Sequence, residues 1–186
     1  ACGVQKEINF ALEHEEIADV FGDLLQKGEL PLRVTHNDTK LNNVMIDLAT
    51  GKGICVVDLD TVMPGLAMND FGDAIRFGAS TALEDEKDLS KVSCNMELYE
   101  VYVKGFLESC GDKLTRKEIE LLPMGAKVMT YECGIRFLTD YLEGDHYYKI
   151  DREEHNLDRC RTQFKLVKDM EQKWDIMQEI VHRYQK

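Results

Sequence analysis

Val34-Thr35-His36-Asn37-Asp38-Thr39-Lys40-Leu41-Asn42-Asn43-Val44, followed by Val56-Val57-Asp58, is the stretch on which the reading of this chain turns. After Pro31, Leu32-Arg33-Val34-Thr35 makes a short extended approach to the polar cluster His36-Asn37-Asp38. Asn43-Val44-Met45-Ile46-Asp47 and Gly53-Ile54-Cys55-Val56-Val57-Asp58 then read as two strands. Between them Thr50-Gly51-Lys52-Gly53 supplies turn chemistry. The spacing predicts a β-hairpin whose entry and exit both carry polar side chains.

Outside this stretch the pattern is helical. Ile8, Ala11, Leu12, Ile17, Val20, Phe21, Leu24 and Leu25 predict a helix over residues 4–26, with Gly28 as its C-terminal cap. A short helix is expected over residues 70–77 and a longer one over 89–110, closed by Gly111. Thr115-x-x-Glu118 has the form of a capping box. Pro123, which lacks an amide proton, splits or kinks the helical run around it. A long helix then runs through Thr139 or Tyr141, and the last covers residues 156–184. No internal repeat or Pro/Gly/Ser-rich linker interrupts the chain. Residues 1–186 read as one α+β, mainly helical domain with a hairpin near its start.

The formal net charge of −12 argues against a nucleic-acid partner, which needs clustered Lys and Arg. No apolar run approaches the ~18 residues of a membrane span, and the first ten residues lack the order of a secretory signal. The six cysteines (Cys2, Cys55, Cys94, Cys110, Cys133, Cys160) are scattered without a C-x-x-C pair. Reduced thiols in a cytoplasmic protein are expected, rather than a zinc site or disulfide scaffold.

The 36–43 segment is informative as chemistry. Phosphoryl transfer needs a carboxylate to orient the nucleophilic hydroxyl and accept its proton, and oxygen ligands that hold Mg²⁺ against the nucleotide phosphates. Kinases supply both from one loop, H-x-D-x-x-x-x-N, and Asp38 and Asn43 have that spacing. Asp58, closing the second strand, supplies the other metal carboxylate. Mg²⁺ favours hard oxygen ligands and keeps waters, so two side chains plus phosphates suffice. A lone D-x-x-x-x-N arises by chance, and Asn and Asp are frequent turn formers. Here it coincides with His36 two residues upstream, a hairpin after Asn43 and an Asp at the hairpin exit. That coincidence favours the catalytic reading.

These residues resemble the aminoglycoside-phosphotransferase-like (protein-kinase-like) family of small-molecule kinases. Asp58-Leu59-Asp60-Thr61-Val62-Met63-Pro64-Gly65, the run from Asn69 to Ala79, and Arg136-Phe137-Leu138-Thr139-Asp140-Tyr141-Leu142-Glu143-Gly144-Asp145 are similar to its bacterial N-acetylhexosamine 1-kinase branch. The resemblance implies ATP as phosphoryl donor, Mg²⁺ as cofactor and a sugar acceptor. It makes Asp38 the catalytic base, which also touches the acceptor, and Asn43 and Asp58 the metal ligands. Arg136 and Tyr147 occupy the matching acceptor-binding positions. Arg136 has a plainer alternative as an ion pair with Glu132 or Asp140, each four residues away. Only one of Tyr147 and Tyr148 is expected to face the acceptor. Asp140, Asp145, Arg159 and Arg161 are further candidates. His36 braces the loop, Lys40 either reaches the γ-phosphate or is solvated, and Asp70 caps the next helix and ties back to the loop. Asp60 is either on the metal side or simply hydrogen-bonded.

By the same resemblance the chain corresponds to the C-terminal lobe of a protein-kinase-like fold, with its hairpin carrying the catalytic and metal-binding residues. The N-terminal nucleotide-binding lobe of the same protein is missing, and this fragment alone is expected to be inactive. Asn37 stands where protein kinases usually have Arg, and few residues separate Asp58 from Asp70. Both features point to a small, rigid acceptor rather than a peptide. The alternatives are a kinase for another small alcohol (an aminoglycoside, choline or homoserine) and a non-catalytic binding module.

Overall fold

The computed structural model describes residues 3–185, so Cys2 lies outside the described residues. Helices α1 (Gln5–Glu13) and α2 (Glu16–Gln26) open the chain where the periodicity predicts one continuous helix. The break is at His14. Its backbone leaves helical geometry at φ −116°, its ring stacks on Phe10 at 4.0 Å, and its Nδ1 donates to the Phe10 carbonyl at 2.8 Å. The side chain thereby satisfies a carbonyl that the helix end leaves open. Gly28 ends α2 as predicted, at φ +70°.

Strand β1 (Arg33–Thr35) pairs antiparallel with β4 (Met63–Gly65), Val34 opposite Pro64. Between them β2 (Val44–Ile46) and β3 (Gly53–Val56) pair antiparallel, Val44 opposite Val56. In the β2–β3 turn Asp47 Oδ1 accepts from the amides of Ala49 and Thr50 at 2.8 and 3.0 Å. The β1–β4 pair therefore closes the base of a long loop that contains both the 36–43 segment and the β2–β3 hairpin. The described architecture is mainly helical α+β with two small antiparallel sheets.

The remaining helices are α3 (Ala67–Gly78), α4 (Met96–Cys110), α5 (Arg116–Glu120), α6 (Leu122–Glu143), α7 (His155–Gln172) and α8 (Trp174–Tyr184). Four boundaries differ from expectation, the first being that α3 begins at Ala67, three residues before the expected start at Asp70. Helix α4 starts at Met96, because the Asn95 side chain accepts from the amides of Glu97 and Leu98 and stops the helix there. Residues 89–95 are instead a 3₁₀ turn and an extended run. Gly111 keeps right-handed geometry and opens a further 3₁₀ turn, so it is no left-handed cap. The predicted helix over 156–184 breaks at Lys173, whose ammonium reaches Ser93 Oγ (2.6 Å), the Cys94 carbonyl (2.9 Å) and Asp169 Oδ2 (2.7 Å). The capping box closes as predicted: Glu118 N donates to Thr115 Oγ1 and Thr115 N to Glu118 Oε2. Pro123 sits in the first turn of α6, where a missing amide costs nothing, and so separates α5 from α6.

Helix α3 is held against α6 with backbones in contact. A Cβ at Gly72 would lie 2.1 Å from the Gly125 carbonyl oxygen, and one at Gly125 2.3 Å from that of Met68. Only glycine permits this approach. Around it lie Met68, Phe71, Tyr99, Tyr131, Leu157, Leu166 and Met170, all buried, with Phe71 edge-on to Tyr99 at 6.0 Å. Helix α3 is thus a fixed post carrying polar residues on its outer face. No described helix is long and apolar enough to cross a membrane.

Candidate active site

The 36–43 loop leaves β1 through Asn37, which takes left-handed geometry at φ +63°, a conformation Asn tolerates better than most residues. Its side chain is used on both ends. Asn37 Oδ1 accepts from Thr35 Oγ1 (2.9 Å) and Nδ2 donates to the Thr61 carbonyl (3.0 Å). Thr61 Oγ1 returns a bond to the His36 carbonyl at 2.6 Å. Beneath the loop, Asp70 accepts from His36 N at Oδ2 (2.8 Å) and from Asn37 N at Oδ1 (2.7 Å). The tie expected of Asp70 is present; the cap is not, because α3 begins at Ala67 and Asp70 lies within its first turn. The His36 imidazole donates from Nε2 to the Val57 carbonyl at 3.0 Å. It braces the loop against the hairpin exit, leaving Nδ1 buried without a partner among the described residues.

Asp38 emerges at the loop's crest. Its Oδ2 accepts from Lys40 Nζ (2.8 Å) and Asn43 Nδ2 (2.8 Å), and Asn43 Nδ2 also bonds the Asp38 carbonyl (2.9 Å). Oδ1 makes no hydrogen bond among the described residues. Partial burial disfavours the charged carboxylate, but the Lys40 and Asn43 hydrogen bonds outweigh it and hold Asp38 below the usual carboxylate range. Lys40 is not freely solvated here. It pairs with Asp38, and that bond raises its pKa, helped by the charges of Asp38, Asp58 and Asp73.

Asn43 and Asp58 stand on either side of the hairpin base, linked by Val57 N donating to the Asn43 carbonyl at 2.9 Å. Asn43 is buried, and its amide nitrogen is spent on Asp38, so its side-chain oxygen remains for another partner. Asp58, left-handed at φ +64°, carries its carboxyl beside that of Asp60. A hydrogen bond with Asp60 and the charge of that neighbour push Asp58 up. Among the described residues no group of three His, Cys, Asp or Glu side chains holds a metal alone. The donors present, an amide oxygen and two adjacent carboxyls, are hard oxygens that suit Mg²⁺ shared with phosphates.

A cleft of about 520 Å³ opens beyond Asp38 and is lined on its far wall by Arg136, Tyr147 and Tyr148. Arg136 forms no ion pair among the described residues. Its guanidinium lies 5.8 Å from the Tyr147 ring centroid and 5.6 Å from that of Tyr148. Both tyrosines line the cleft, where the sequence reading places one. Tyr147 is 74 % exposed, while Tyr148 packs on Phe137 and burial pushes its hydroxyl up to about 12. Asp140, an alternative partner for Arg136, is buried and anchors the following loop instead. It accepts from the amides of His146, Tyr147 and Tyr148 at 2.7–2.9 Å and from Asn156 Nδ2 at 2.8 Å. Asp145 receives the other Asn156 bond, and Arg161 turns away to Glu7. Of the four further candidates only Arg159 lines the cleft.

Three cleft residues, Asp73, Arg76 and Glu84, are not singled out by the sequence reading. Arg76 is buried, bonding Asp73 Oδ1 from Nε (3.0 Å) and Nη2 (2.9 Å) and Glu84 Oε1 from Nη1 (2.6 Å). Burial opposes its charge, but the neighbouring Cys133, Asp73 and Glu84 more than compensate, and its pKa is raised. The signal available was positional: Asp70, Asp73 and Arg76 follow at three-residue steps on one side of α3. The cleft wall presents Lys40, Arg76, Arg136, Lys149 and Arg159 against Asp38, Asp73, Glu84 and Glu132. In a chain with net charge −12 this wall is not acidic.

Residues 3–93 match the sequence model of APH, the phosphotransferase enzyme family. The matched segment contains Asp38, Asn43, Asp58 and Asp70, and stops short of Arg136 and Tyr147. The likeness supports phosphoryl transfer to a small molecule as the class of chemistry and leaves the acceptor open.

Proposed function

We propose that this chain is the acceptor- and metal-binding lobe of an ATP- and Mg²⁺-dependent small-molecule kinase, and that its acceptor is a sugar, the anomeric hydroxyl of an N-acetylhexosamine. The observation that carries the reading is that Asp38 and an unpaired Arg136 face one cleft. Asn43 and Asp58 would hold Mg²⁺, which when bound would neutralise phosphate charge. Asp38 Oδ1 orients the acceptor hydroxyl and takes its proton. A carboxylate held low by Lys40 is a weak base, which suffices where the transition state is loose and positioning dominates. Arg136 offers donors to ring hydroxyls or an amide carbonyl, and Tyr147 an aromatic face to the sugar.

The mixed charge of the cleft wall disfavours cationic acceptors such as aminoglycosides or choline, for which an acidic wall is expected. The hairpin carries exposed apolar side chains: Leu48 in its turn is fully accessible, and Met45, Ile54 and Val56 on its strands are at least half exposed. On this reading a nucleotide-binding lobe of the same protein covers them, and residues 1–186 alone give no turnover. The free state of the five described cysteines fits a cytoplasmic location. The test is a panel of sugars and amino alcohols with Mg-ATP and the polypeptide that includes the nucleotide-binding lobe, products being read by phosphorus NMR. An anomeric phosphate on N-acetylhexosamine supports the reading; phosphorylation confined to amino alcohols or aminoglycosides contradicts the acceptor assignment.

A further inference from the structure

The cleft-facing side of α3 holds a carboxylate that none of these roles uses. Asp70 and Asp73 stand three residues apart on that helix. Asp70 turns beneath the 36–43 loop, where both its oxygens are occupied. Asp73 lines the cleft with Asp38, and its side chain is only 9 % exposed. Arg76 occupies Oδ1 twice, while Oδ2 is buried with no hydrogen-bond partner among the described residues. Arg76 is itself fixed by Glu84. The carboxylate is thus neutralised and oriented from one side, with an acceptor atom left over on the other. Buried oxygens are rarely left in that state. The χ2 torsion of Asp is broad, so the carboxylate of this cleft-lining residue can reorient when a donor enters.

We infer that Asp73 is a specificity-determining residue for the acceptor, its Oδ2 accepting a hydrogen bond from one hydroxyl or N–H of the sugar, an inference that rests on the proposed kinase reading. Because Arg76 already balances its charge, Asp73 selects a neutral donor group rather than an ammonium. The rival is a structural role in which Asp73 only fixes Arg76 and a water satisfies Oδ2. That role predicts no discrimination among acceptors.

The experiment compares wild type with Asp73→Asn, in the polypeptide carrying its nucleotide-binding lobe. The probes are N-acetylglucosamine and its monodeoxy and monofluoro analogues. Asn retains an oxygen for Arg76 and replaces the free acceptor with a donor. In the wild type, one ring position is expected to lose about 10- to 100-fold in kcat/KM on both deoxygenation and fluorination, the worth of a hydrogen bond to a charged group. Fluorine cannot donate, so the paired loss identifies a donor to Asp73. Asp73→Asn should lose a similar factor on the parent sugar, stop discriminating at that one position, and keep the KM for ATP within about twofold. Asp73→Ser carries the same expectation should the Asn variant fail to fold. Glu84→Gln, which loosens Arg76 without touching Oδ2, should keep the wild-type pattern of discrimination. A wild type that neither binds nor phosphorylates any of the sugars contradicts the sugar-acceptor reading and this inference together. A wild type that phosphorylates N-acetylglucosamine, with Asp73→Asn discriminating as it does at every position, overturns the inference alone.

Discussion

Asp70 bridges two consecutive amides of the 36–43 loop, accepting from His36 N at 2.8 Å and from Asn37 N at 2.7 Å. Because Asp70 sits on α3, and α3 is locked to α6 through Gly72 and Gly125, the height of Asp38 over the cleft is set by the helical core.

Removing that bridge should loosen the loop without emptying it. Asp70→Ala is expected to cost about 2–4 kcal/mol in urea unfolding, since two charge-assisted bonds are lost and two amides left open. On the proposed function, kcat of the polypeptide that includes a nucleotide-binding lobe should fall at least about tenfold, because a small displacement of a positioned base is costly. Unchanged stability and turnover would mean that the loop holds its shape by other bonds.

The proposed metal pair gives a second prediction. Asp58→Asn should raise the Mg²⁺ concentration for half-maximal activity at least about tenfold, with excess Mg²⁺ restoring part of the rate. Asn43→Ala should be worse, because Asn43 also donates to Asp38 Oδ2 at 2.8 Å. An Asp58→Asn enzyme with wild-type Mg²⁺ dependence would remove Asp58 from the ligand set.

On the far wall, Arg136→Ala should raise the KM for the acceptor about 10- to 100-fold and leave the KM for ATP nearly unchanged. Arg136→Lys should not restore it, since lysine lacks the planar fork that lies over Tyr147 and Tyr148. Tyr147→Phe should be mild and Tyr147→Ala harsher, if the ring face is what the acceptor meets. Steady-state kinetics with both substrates varied separates these cases.

Stability should fall on the acid side. Glu118 is 0 % exposed, and Arg33 bonds both its oxygens, at 2.6 and 2.7 Å. Burial opposes its charge, but Arg33 and the Thr115 amide hold its pKa below the ordinary value. Asp169 is lowered in the same way, burial being outweighed by Lys173 and the Cys94 amide. A lowered native pKa means that the unfolded chain binds protons first. This stabilisation is complete above about pH 5 and is lost as pH falls through the native values. Glu118→Gln should cost about 1–3 kcal/mol at neutral pH and flatten the acid limb. Chemical unfolding from pH 3 to 7 measures both, and an acid limb unchanged in the variant would assign it to other carboxylates.

Much of this arrangement is legible in the chain because it is local. The β2–β3 pairing follows from two apolar runs and a Gly-containing turn, the capping box from Thr115 and Glu118, and the 36–43 spacing from one short segment. What escaped is non-local or conflicts with propensity. Strand β4 is built on Pro64 and Gly65, poor strand formers that pair only because β1 lies opposite. The break at Lys173 depends on Ser93 and Cys94, far away in sequence. Asp140 looks like an ion-pair partner for Arg136 by its spacing, yet it is claimed by three loop amides. Asp73 shares a helix side with Asp70 and Arg76, but its unsatisfied oxygen has no sequence signature.

Asp38→Asn in the polypeptide that includes the proposed nucleotide-binding lobe, with kcat and the acceptor dissociation constant measured side by side, is the most direct test of Asp38 as the proposed catalytic base. Asn keeps the shape of the side chain and removes its capacity to take a proton. The expected result is a fall in kcat of about 10²–10⁴, the range of a positioned base, with acceptor affinity changed less than about threefold. Wild-type turnover by Asp38→Asn would contradict that role.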